Sequence, residues 1–311
     1  MEERNVQFQI GPEEEGMTIG QYLKKLGFSD HQISRLKFRE NGICVDGVRQ
    51  RVTKRLRTGE RLEIRPEYHR EGTPCLELSA DPAALPVLYE DEDLLIVNKP
   101  SGLVCHPSHG HYRDTLANQA ASYGREKGEQ WTIRIVGRLD KDTSGIVAFA
   151  KNAEAASLLA RQRARGDMKK TYLALVQGSI CPPGGCIRTP IARDGTSLMK
   201  MKADPSGKPA KTWYQVIEEK AGVSLVRIQI EHGRTHQIRV HMASVGHPLV
   251  GDPLYGEKSD GCKAAGSTAL HAWKLELMQP FSGERLLIKA PLPEWCADFG
   301  EMDVFDKSVL L

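Results

Sequence analysis

The stretch Gly137-Arg138-Leu139-Asp140-Lys141-Asp142-Thr143-Ser144-Gly145 lies between two runs of mostly apolar residues, 132–136 and 146–150. Such runs predict β-strands, so the stretch forms a loop that carries carboxylates between two elements of a sheet. Catalytic side chains concentrate on loops that a rigid scaffold positions, which makes Asp140 a candidate catalytic residue. The alternative is an ordinary turn, in which the Asp, Thr and Ser side chains bond to their own backbone.

Composition is that of an ordinary soluble protein of more than one domain. The chain has 311 residues, of which 27% are charged and 40% hydrophobic, and its net charge of +3 is too small to identify a polyanionic partner. The seven cysteines form no Cys-x-x-Cys pair. No apolar run approaches the length that spans a membrane, and residues 1–12 lack the apolar core of a signal peptide. We therefore expect a cytoplasmic protein with reduced thiols and no membrane association.

Charge is concentrated near the N-terminus. Between His31 and Arg65 the chain carries ten basic and four acidic residues, a net charge of about +6. This density predicts a nucleic-acid footprint, although a solvated basic face without a partner would have the same composition. The predicted RNA-binding residues are Arg35, Lys37, Arg39, Arg49, Arg51 and Arg55.

The same region predicts a small α+β unit. Thr18 and Gly27 bracket one helix, Ser29 opens a second, and residues 43–48 form a strand that leads into the turn at Asp46 and Gly47. Over about residues 16–65 this pattern resembles the RNA-binding module named after ribosomal protein S-four. We therefore predict an N-terminal module at 1–70, a linker rich in Pro and Gly at 71–85, and a catalytic domain at 86–311.

The remaining pattern predicts an α+β fold. An early buried strand covers 94–97, and a helix over 153–165, with Leu158 and Leu159 facing inward, stops at Gly166. Further strands cover 171–177, 211–218, 223–231 and 269–278, and a polar loop lies between Gly256 and Ser267. Many strands with few helices, without strict alternation, favour this class over a doubly wound sheet.

Five segments, in order along the chain, resemble the motifs of the RluA family of RNA pseudouridine synthases. They begin at Asn98 (NKPSGL), Arg138 (RLDKDTSG), Lys170 (KTYLALV), Gly233 (GRTHQIRVH) and Leu270 (LHA). In that family His usually stands where this chain has Gly137, whereas the related RsuA group often has Gly there. The resemblance implies the pseudouridine synthase fold, a mainly antiparallel sheet with a central cleft, and the isomerisation of uridine to pseudouridine in RNA.

The resemblance also implies three catalytic residues: Asp140, Tyr172 and Arg239. An ionised carboxylate in an apolar cleft needs a partner, because its pKa otherwise rises. We expect a helix over 235–245, capped by Thr235, from which Arg239 donates a charge-assisted hydrogen bond to Asp140. Tyr172 matches the residue that stacks on the flipped uracil and takes part in proton transfer. From residue type alone, Arg239 could be a surface arginine and Tyr172 a core aromatic.

A second group is predicted to bind the substrate: Arg138, Lys170, Arg234, His236, Ile238 and Leu270. The polar members would contact backbone, phosphate or base, and the two apolar members would line the pocket. Simple solvation of Lys170 and ordinary core packing of Ile238 and Leu270 are the alternatives.

The implied reaction exchanges a bond from ribose to N1 of uracil for one to C5 and requires no cofactor in principle. A closed pocket with one carboxylate suits it better than the two carboxylates and water of a glycosidase. Attack on the ribose, attack on the base and a glycal route all use Asp140 ionised.

Two clusters are expected to be incidental. His106, His109 and His111 superficially resemble a metal cluster, but no second ligand pair follows at zinc-like spacing, so we predict no metal. Cys181 and Cys186 could pair, although free thiols are expected in a reducing compartment.

The sequence favours a pseudouridine synthase that acts as a monomer on structured RNA, without an obligate protein partner. Ribosomal RNA of the large subunit is favoured over transfer RNA because an S-four-like module commonly accompanies ribosomal substrates in this family. Two alternatives remain: a non-catalytic RNA-binding assembly factor and a nucleoside hydrolase that releases uracil.

Overall fold

Two β-sheets organise the chain. The computed structural model describes residues 5–66, 85–108, 110–129, 131–197, 199–256 and 268–299. Nearly all of the linker predicted at 71–85 and of the loop predicted between Gly256 and Ser267 falls outside these ranges, as does His109. Within them, no helix combines the length and apolarity that crossing a bilayer requires.

The N-terminal unit has a four-stranded sheet of order β1-β4-β2-β3 and two helices. Its elements are β1 (Val6–Gln9), α1 (Ile19–Leu26), α2 (Asp30–Phe38), β2 (Ile43–Val45), β3 (Val48–Arg49) and β4 (Arg61–Ile64). The expected caps are confirmed: the Thr18 side chain accepts a hydrogen bond from the Gln21 amide, and Gly27 ends α1 in the left-handed conformation.

The larger unit is built on a ten-stranded sheet that confirms the α+β class. Its main path runs β10-β13-β14-β9-β15-β8-β6-β5, with β16 beside β15 and β7 beside β8, and only β15 and β8 pair in parallel. The strands are β5 (Val87–Glu90), β6 (Leu94–Lys99), β7 (Arg134–Val136), β8 (Ser144–Ala150), β9 (Lys169–Gln177), β10 (Gly184–Ile187), β13 (Lys211–Lys220), β14 (Val223–Glu231), β15 (Leu270–Met278) and β16 (Arg285–Lys289). A separate ribbon joins β11 (Ile191–Arg193) to β12 (Met201–Ala203), and the helices are α3 (Leu116–Glu126), α4 (Ala153–Arg165) and α5 (Gln237–Ser244).

Helix α4 joins the two units. Its bounds match the prediction, and Leu159 packs on the large sheet as expected. Leu158 is also buried, as expected, but its side chain packs in the core of the N-terminal unit. Consecutive helical residues point about 100° apart, so both leucines are buried, but against different partners. Arg161 also contacts that unit, donating hydrogen bonds of 3.0 and 2.7 Å to the carbonyls of Lys24 and Lys25.

Candidate active site

The loop that carries Asp140 connects β7 to β8, and the pairing of β8 with β15 holds its C-terminal end in place. Gly145, where β8 begins to pair with β15, has φ +104°, and a β-carbon there would stand 2.3 Å from the Ala272 carbonyl oxygen. Only glycine allows the two strands to approach so closely. The loop is therefore fixed at its end by the sheet.

Lys99 clamps the middle of the same loop. Its side chain is fully buried, and its ammonium donates to three carbonyls, those of Pro100, Leu103 and Lys141, at 2.8 to 2.9 Å. Ser101 adds a hydrogen bond of 2.7 Å to the Asp142 carbonyl. Burial lowers the pKa of Lys99 to about 8. Because its three protons are all donated to backbone oxygens, Lys99 positions the loop.

An apolar wall lies beside Asp140. Leu139, Tyr172, Ile238 and Leu270 belong to one core cluster, and each is at most 8% exposed. They come from the β7–β8 loop, β9, α5 and β15, so tertiary folding brings together four segments that the sequence separates. An apolar wall beside a carboxylate suits a ring that must be held away from water.

The carboxylate of Asp140 lies in a low-dielectric but positive environment. Burial raises its pKa, while the charges of His236, Arg239, Lys99 and Arg138 oppose that rise. The group is therefore surrounded by cations, and among the described residues no hydrogen bond is directed to its carboxylate oxygens. Desolvation without a fixed donor leaves the carboxylate reactive toward a substrate.

Tyr172 supplies a buried ring on β9. It pairs with Ile228 on one neighbouring strand and Ala272 on the other, so the sheet fixes its backbone on both sides. Burial and the nearby Asp140 charge raise the pKa of its phenol. The phenol is consequently neutral at physiological pH and can stack and donate a hydrogen bond.

Arg239 is held by a residue that sequence reasoning did not single out. Its Nε and Nη2 donate to the two carboxylate oxygens of Asp252 at 2.7 and 2.6 Å, and both side chains are nearly fully buried. The expected hydrogen bond from Arg239 to Asp140 is therefore wrong for this structure, because the planar guanidinium forms its bidentate pair with Asp252. Burial opposes the charged guanidinium, but the pair with Asp252 outweighs it and raises the pKa of Arg239. Its charge still acts on Asp140.

Tyr255 links the site to the β11–β12 ribbon. Its ring lies 5.2 Å from the Arg239 guanidinium carbon, and its hydroxyl accepts from the Met201 amide at 2.8 Å. The same hydroxyl lies 2.9 Å from Nδ1 of His236. The phenol oxygen therefore bridges the Met201 amide and the His236 ring. Burial lowers the pKa of His236, whereas the charge of Asp140 acts to raise it.

The start of α5 differs from the prediction. The helix begins at Gln237, its N-cap is His236 with φ +55°, and no side chain caps it, so the capping role of Thr235 is wrong. The physical reason is local: the Gln237 side chain accepts from the Arg234 amide at 2.9 Å and donates to the Lys211 and Glu231 carbonyls. These bonds secure the turn before the helix.

The other predicted substrate-binding residues occupy different places. Arg138 is exposed on the loop, and Lys170 is directed into the wall, where its ammonium donates to the Ile146 carbonyl at 2.9 Å. Burial lowers the pKa of Lys170 to about 8. Arg234 donates to the Pro209 carbonyl at 3.0 Å and lines a groove of about 530 Å³ together with the β11–β12 ribbon.

The predicted RNA-binding residues of the N-terminal unit fall into two groups. Arg35 and Arg39 line a shallow groove of about 330 Å³ with the exposed ring of Phe38, and the Lys37 ammonium lies 4.7 Å from that ring. Arg49 and Arg55 are tied down by hydrogen bonds to backbone carbonyls, and Arg51 is exposed.

Within the described ranges no three His, Cys, Asp or Glu side chains are arranged to hold a metal ion, and His109 lies outside them. Cys181 and Cys186 are free thiols.

Sequence reasoning missed Lys99, Asp252 and Tyr255 as parts of the site. For Lys99 a signal existed, because it lies within the first of the five motifs. For Asp252 and Tyr255 the available signal was the Asp-Pro turn that follows the apolar residues Leu249 and Val250. A carboxylate at that position is typical of a turn, and its pairing with Arg239 depends on the tertiary fold.

Comparison with known proteins finds relatives of this chain. Residues 93–244 match the family model described as RNA pseudouridylate synthase. A ribosomal large subunit pseudouridine synthase D of Pseudomonas aeruginosa is 37% identical over 93% of this chain and 91% of that protein. Its counterpart in Nitrosomonas europaea is 38% identical over 69% of this chain, and the match spans 64% of that relative's length.

Among solved structures, human RNA Pseudouridylate Synthase Domain Containing 1 superposes with a TM-score of 0.57 at 30% identity, covering 69% of this chain and 86% of that one. Asp140, Tyr172, Ile238 and Arg239 lie within the segment that the family model matches, whereas Leu270 follows it. The chain thus belongs to the RNA pseudouridylate synthase family, whose members are isomerases that convert uridine to pseudouridine in RNA.

Proposed function

We propose that this protein isomerises specific uridines of large-subunit ribosomal RNA to pseudouridine, with Asp140 as the catalytic carboxylate. The observation that carries the proposal is the convergence of four separate segments into one apolar wall beside a desolvated aspartate. Relatives named ribosomal large subunit pseudouridine synthase D support ribosomal RNA as the substrate class. Transfer RNA is the second candidate substrate.

The reaction fits a site that excludes water and retains its product. The bond from ribose C1′ to uracil N1 breaks, a bond from C1′ to C5 forms, the C5 proton is lost and N1 gains a proton. No oxidant or reductant is consumed. Asp140, ionised, provides the negative charge that each of the three routes requires, and the surrounding cations stabilise that charge.

Each of the other residues has a distinct role in this proposal. Tyr172 holds the detached uracil against the wall as a neutral ring, and the raised pKa of its phenol argues against a phenolate that removes the C5 proton. Arg239, aligned by Asp252, contributes positive charge from a buried position. Ile238 and Leu270 line the pocket.

The N-terminal unit is proposed to act as an S-four-like RNA-binding module, with the groove formed by Arg35, Phe38 and Arg39 as one contact surface. The protein is further proposed to act as a monomer without an obligate protein partner. The five cysteines within the described ranges are free thiols, which supports a cytoplasmic location.

The test uses ribosomal RNA that carries tritium at C5 of uridine. We expect the protein to release tritium to water and Asp140→Asn to release none. Asp142→Asn is the matched control, because it makes the same change two residues away in the same loop and should retain activity. Base composition of the product should show pseudouridine in proportion to the tritium released.

Other outcomes identify the alternatives. Tritium release from transfer RNA alone would replace the ribosomal substrate by the second candidate. Free uracil in the medium would indicate a hydrolase. Binding of RNA without tritium release from any cellular RNA would sink the proposal in favour of a non-catalytic assembly factor.

A further inference from the structure

Arg163 occupies a distinctive position on α4. It follows Ala155 and Leu159 at intervals of four residues on the side of the helix that packs on the large sheet. Those two residues are fully buried, whereas Arg163, one turn further on, is exposed. On this face of α4, buried apolar residues are therefore followed by an exposed charged residue, Arg163.

The guanidinium of Arg163 lies beside the start of the catalytic loop. Its Nη1 is 3.7 Å from the point where a β-carbon on Gly137 would stand. Gly137 has φ +81°, a conformation that residues with side chains rarely adopt, so Gly137 itself places no side chain in this space.

Nothing in the described part of the chain neutralises Arg163. Among those residues it has no ion pair and its side chain makes no hydrogen bond. Arg161, two positions earlier, is by contrast engaged with two backbone carbonyls of the N-terminal unit. The charge of Arg163 nevertheless acts on the walls of the site: it lowers the pKa of Lys170 and opposes the rise in that of Tyr172.

We propose that Arg163 is a further substrate-binding residue, which holds a phosphate of the RNA strand next to the target uridine. The proposal rests on the proposed function, since it requires RNA in this cleft. A planar guanidinium binds a phosphate through two parallel hydrogen bonds, a geometry that an ammonium does not reproduce. A uridine that leaves the RNA stack carries its flanking phosphates with it, and Arg163 lies beside Gly137, three residues before Asp140 in the same loop.

Arg163→Ala, Arg163→Lys and the matched control Arg165→Ala test the proposal. Arg165 is exposed in the same last turn of α4, so it shares every general effect of positive charge at a helix C-terminus. The assay is single-turnover tritium release from ribosomal RNA over a range of enzyme and salt concentrations. Circular dichroism should show unchanged melting for all three variants.

Arg163→Ala should raise the enzyme concentration for half-maximal rate about tenfold, with the maximal rate changed less than about twofold. For this variant, the slope of log affinity against log salt concentration should be shallower by about one unit. Arg163→Lys should restore the salt dependence but only part of the affinity. An unchanged affinity for Arg163→Ala, or an equal loss for Arg165→Ala, would overturn the proposal. Absence of tritium release by the unaltered protein would instead count against the proposed function.

Discussion

Substitution of Asp252 is expected to destabilise the protein in a graded way that the hydrogen bonds predict. One oxygen of Asp252 accepts from Arg239 Nη2 and from the Leu254 and Tyr255 amides, and the other accepts from Arg239 Nε. Asp252→Asn keeps the first oxygen but turns an amide against Nε, so one charge-assisted bond is lost, at about 1.5–3 kcal/mol. Asp252→Ala loses all four bonds and leaves a buried guanidinium unpaired, at about 3–5 kcal/mol.

Urea unfolding of the two variants measures these losses. Asp298→Asn, the same change at an exposed position, is the control and should have almost no effect. The pKa of Asp252 is lowered in the folded protein, because the pair with Arg239 outweighs the effect of burial. Its stabilisation is therefore present above the unfolded pKa, near 3.9, and is lost as the pH falls through the lower folded value. The difference between Asp252→Asn and the unaltered protein should shrink accordingly in acid.

The double variant Arg239→Met with Asp252→Leu separates stability from catalysis. Replacing both members of a buried pair by apolar residues of similar volume is often nearly neutral, so we expect most of the lost stability to return. The double variant should release no tritium, because it lacks the charge of Arg239 that acts on Asp140. If Asp252→Ala proves as stable as Asp298→Asn, the reasoning that this pair holds the site together is refuted.

Four further predictions follow from the structure. Asp140→Asn should raise the melting temperature while it abolishes activity, since a folded-state pKa raised above the unfolded value means that ionisation at neutral pH favours the unfolded chain; a lower melting temperature would contradict this. For the same reason kcat/KM should rise with pH through the raised pKa of Asp140, measured by initial rates in buffers of constant ionic strength. Lys99→Met should lower the rate of tritium release about 10²-fold by freeing the Lys141 carbonyl from its clamp, whereas Lys169→Met, at an exposed position, should not. Arg161→Ala should increase amide hydrogen exchange at the C-terminal turn of α1, and unchanged exchange there would argue against its docking role.

Elements with local signals could be predicted from the sequence. The bounds of α4 follow from an apolar stripe that ends at Gly166, and those of α1 follow from Thr18 and Gly27. Helix caps and terminating glycines act within a few residues, so they can be recognised from the sequence without a tertiary structure. The sequence predicted Asp140 on a loop and Tyr172 on a buried strand for similar reasons.

Features that depend on tertiary partners could not be predicted. Arg239 pairs with Asp252 because a turn after the helix brings that carboxylate into the core, and no periodicity encodes such a choice. The orientation of Leu158 was equally inaccessible, since both neighbouring leucines are apolar and only the docked N-terminal unit distinguishes them. In each case the residue type indicated a charged or an apolar contact, but the sequence did not indicate which residues would form that contact.

The packing of Leu158 sets a limit on how the protein can be divided. A truncated chain that begins at residue 85 would expose this leucine, which is 7% exposed in the intact chain, together with the side of Phe281 that packs in the same cluster. Apolar patches of that kind promote self-association. An isolated catalytic unit should therefore aggregate unless Leu158 is replaced by a polar residue, so solubility of the fragment would be a poor guide to the integrity of its active site.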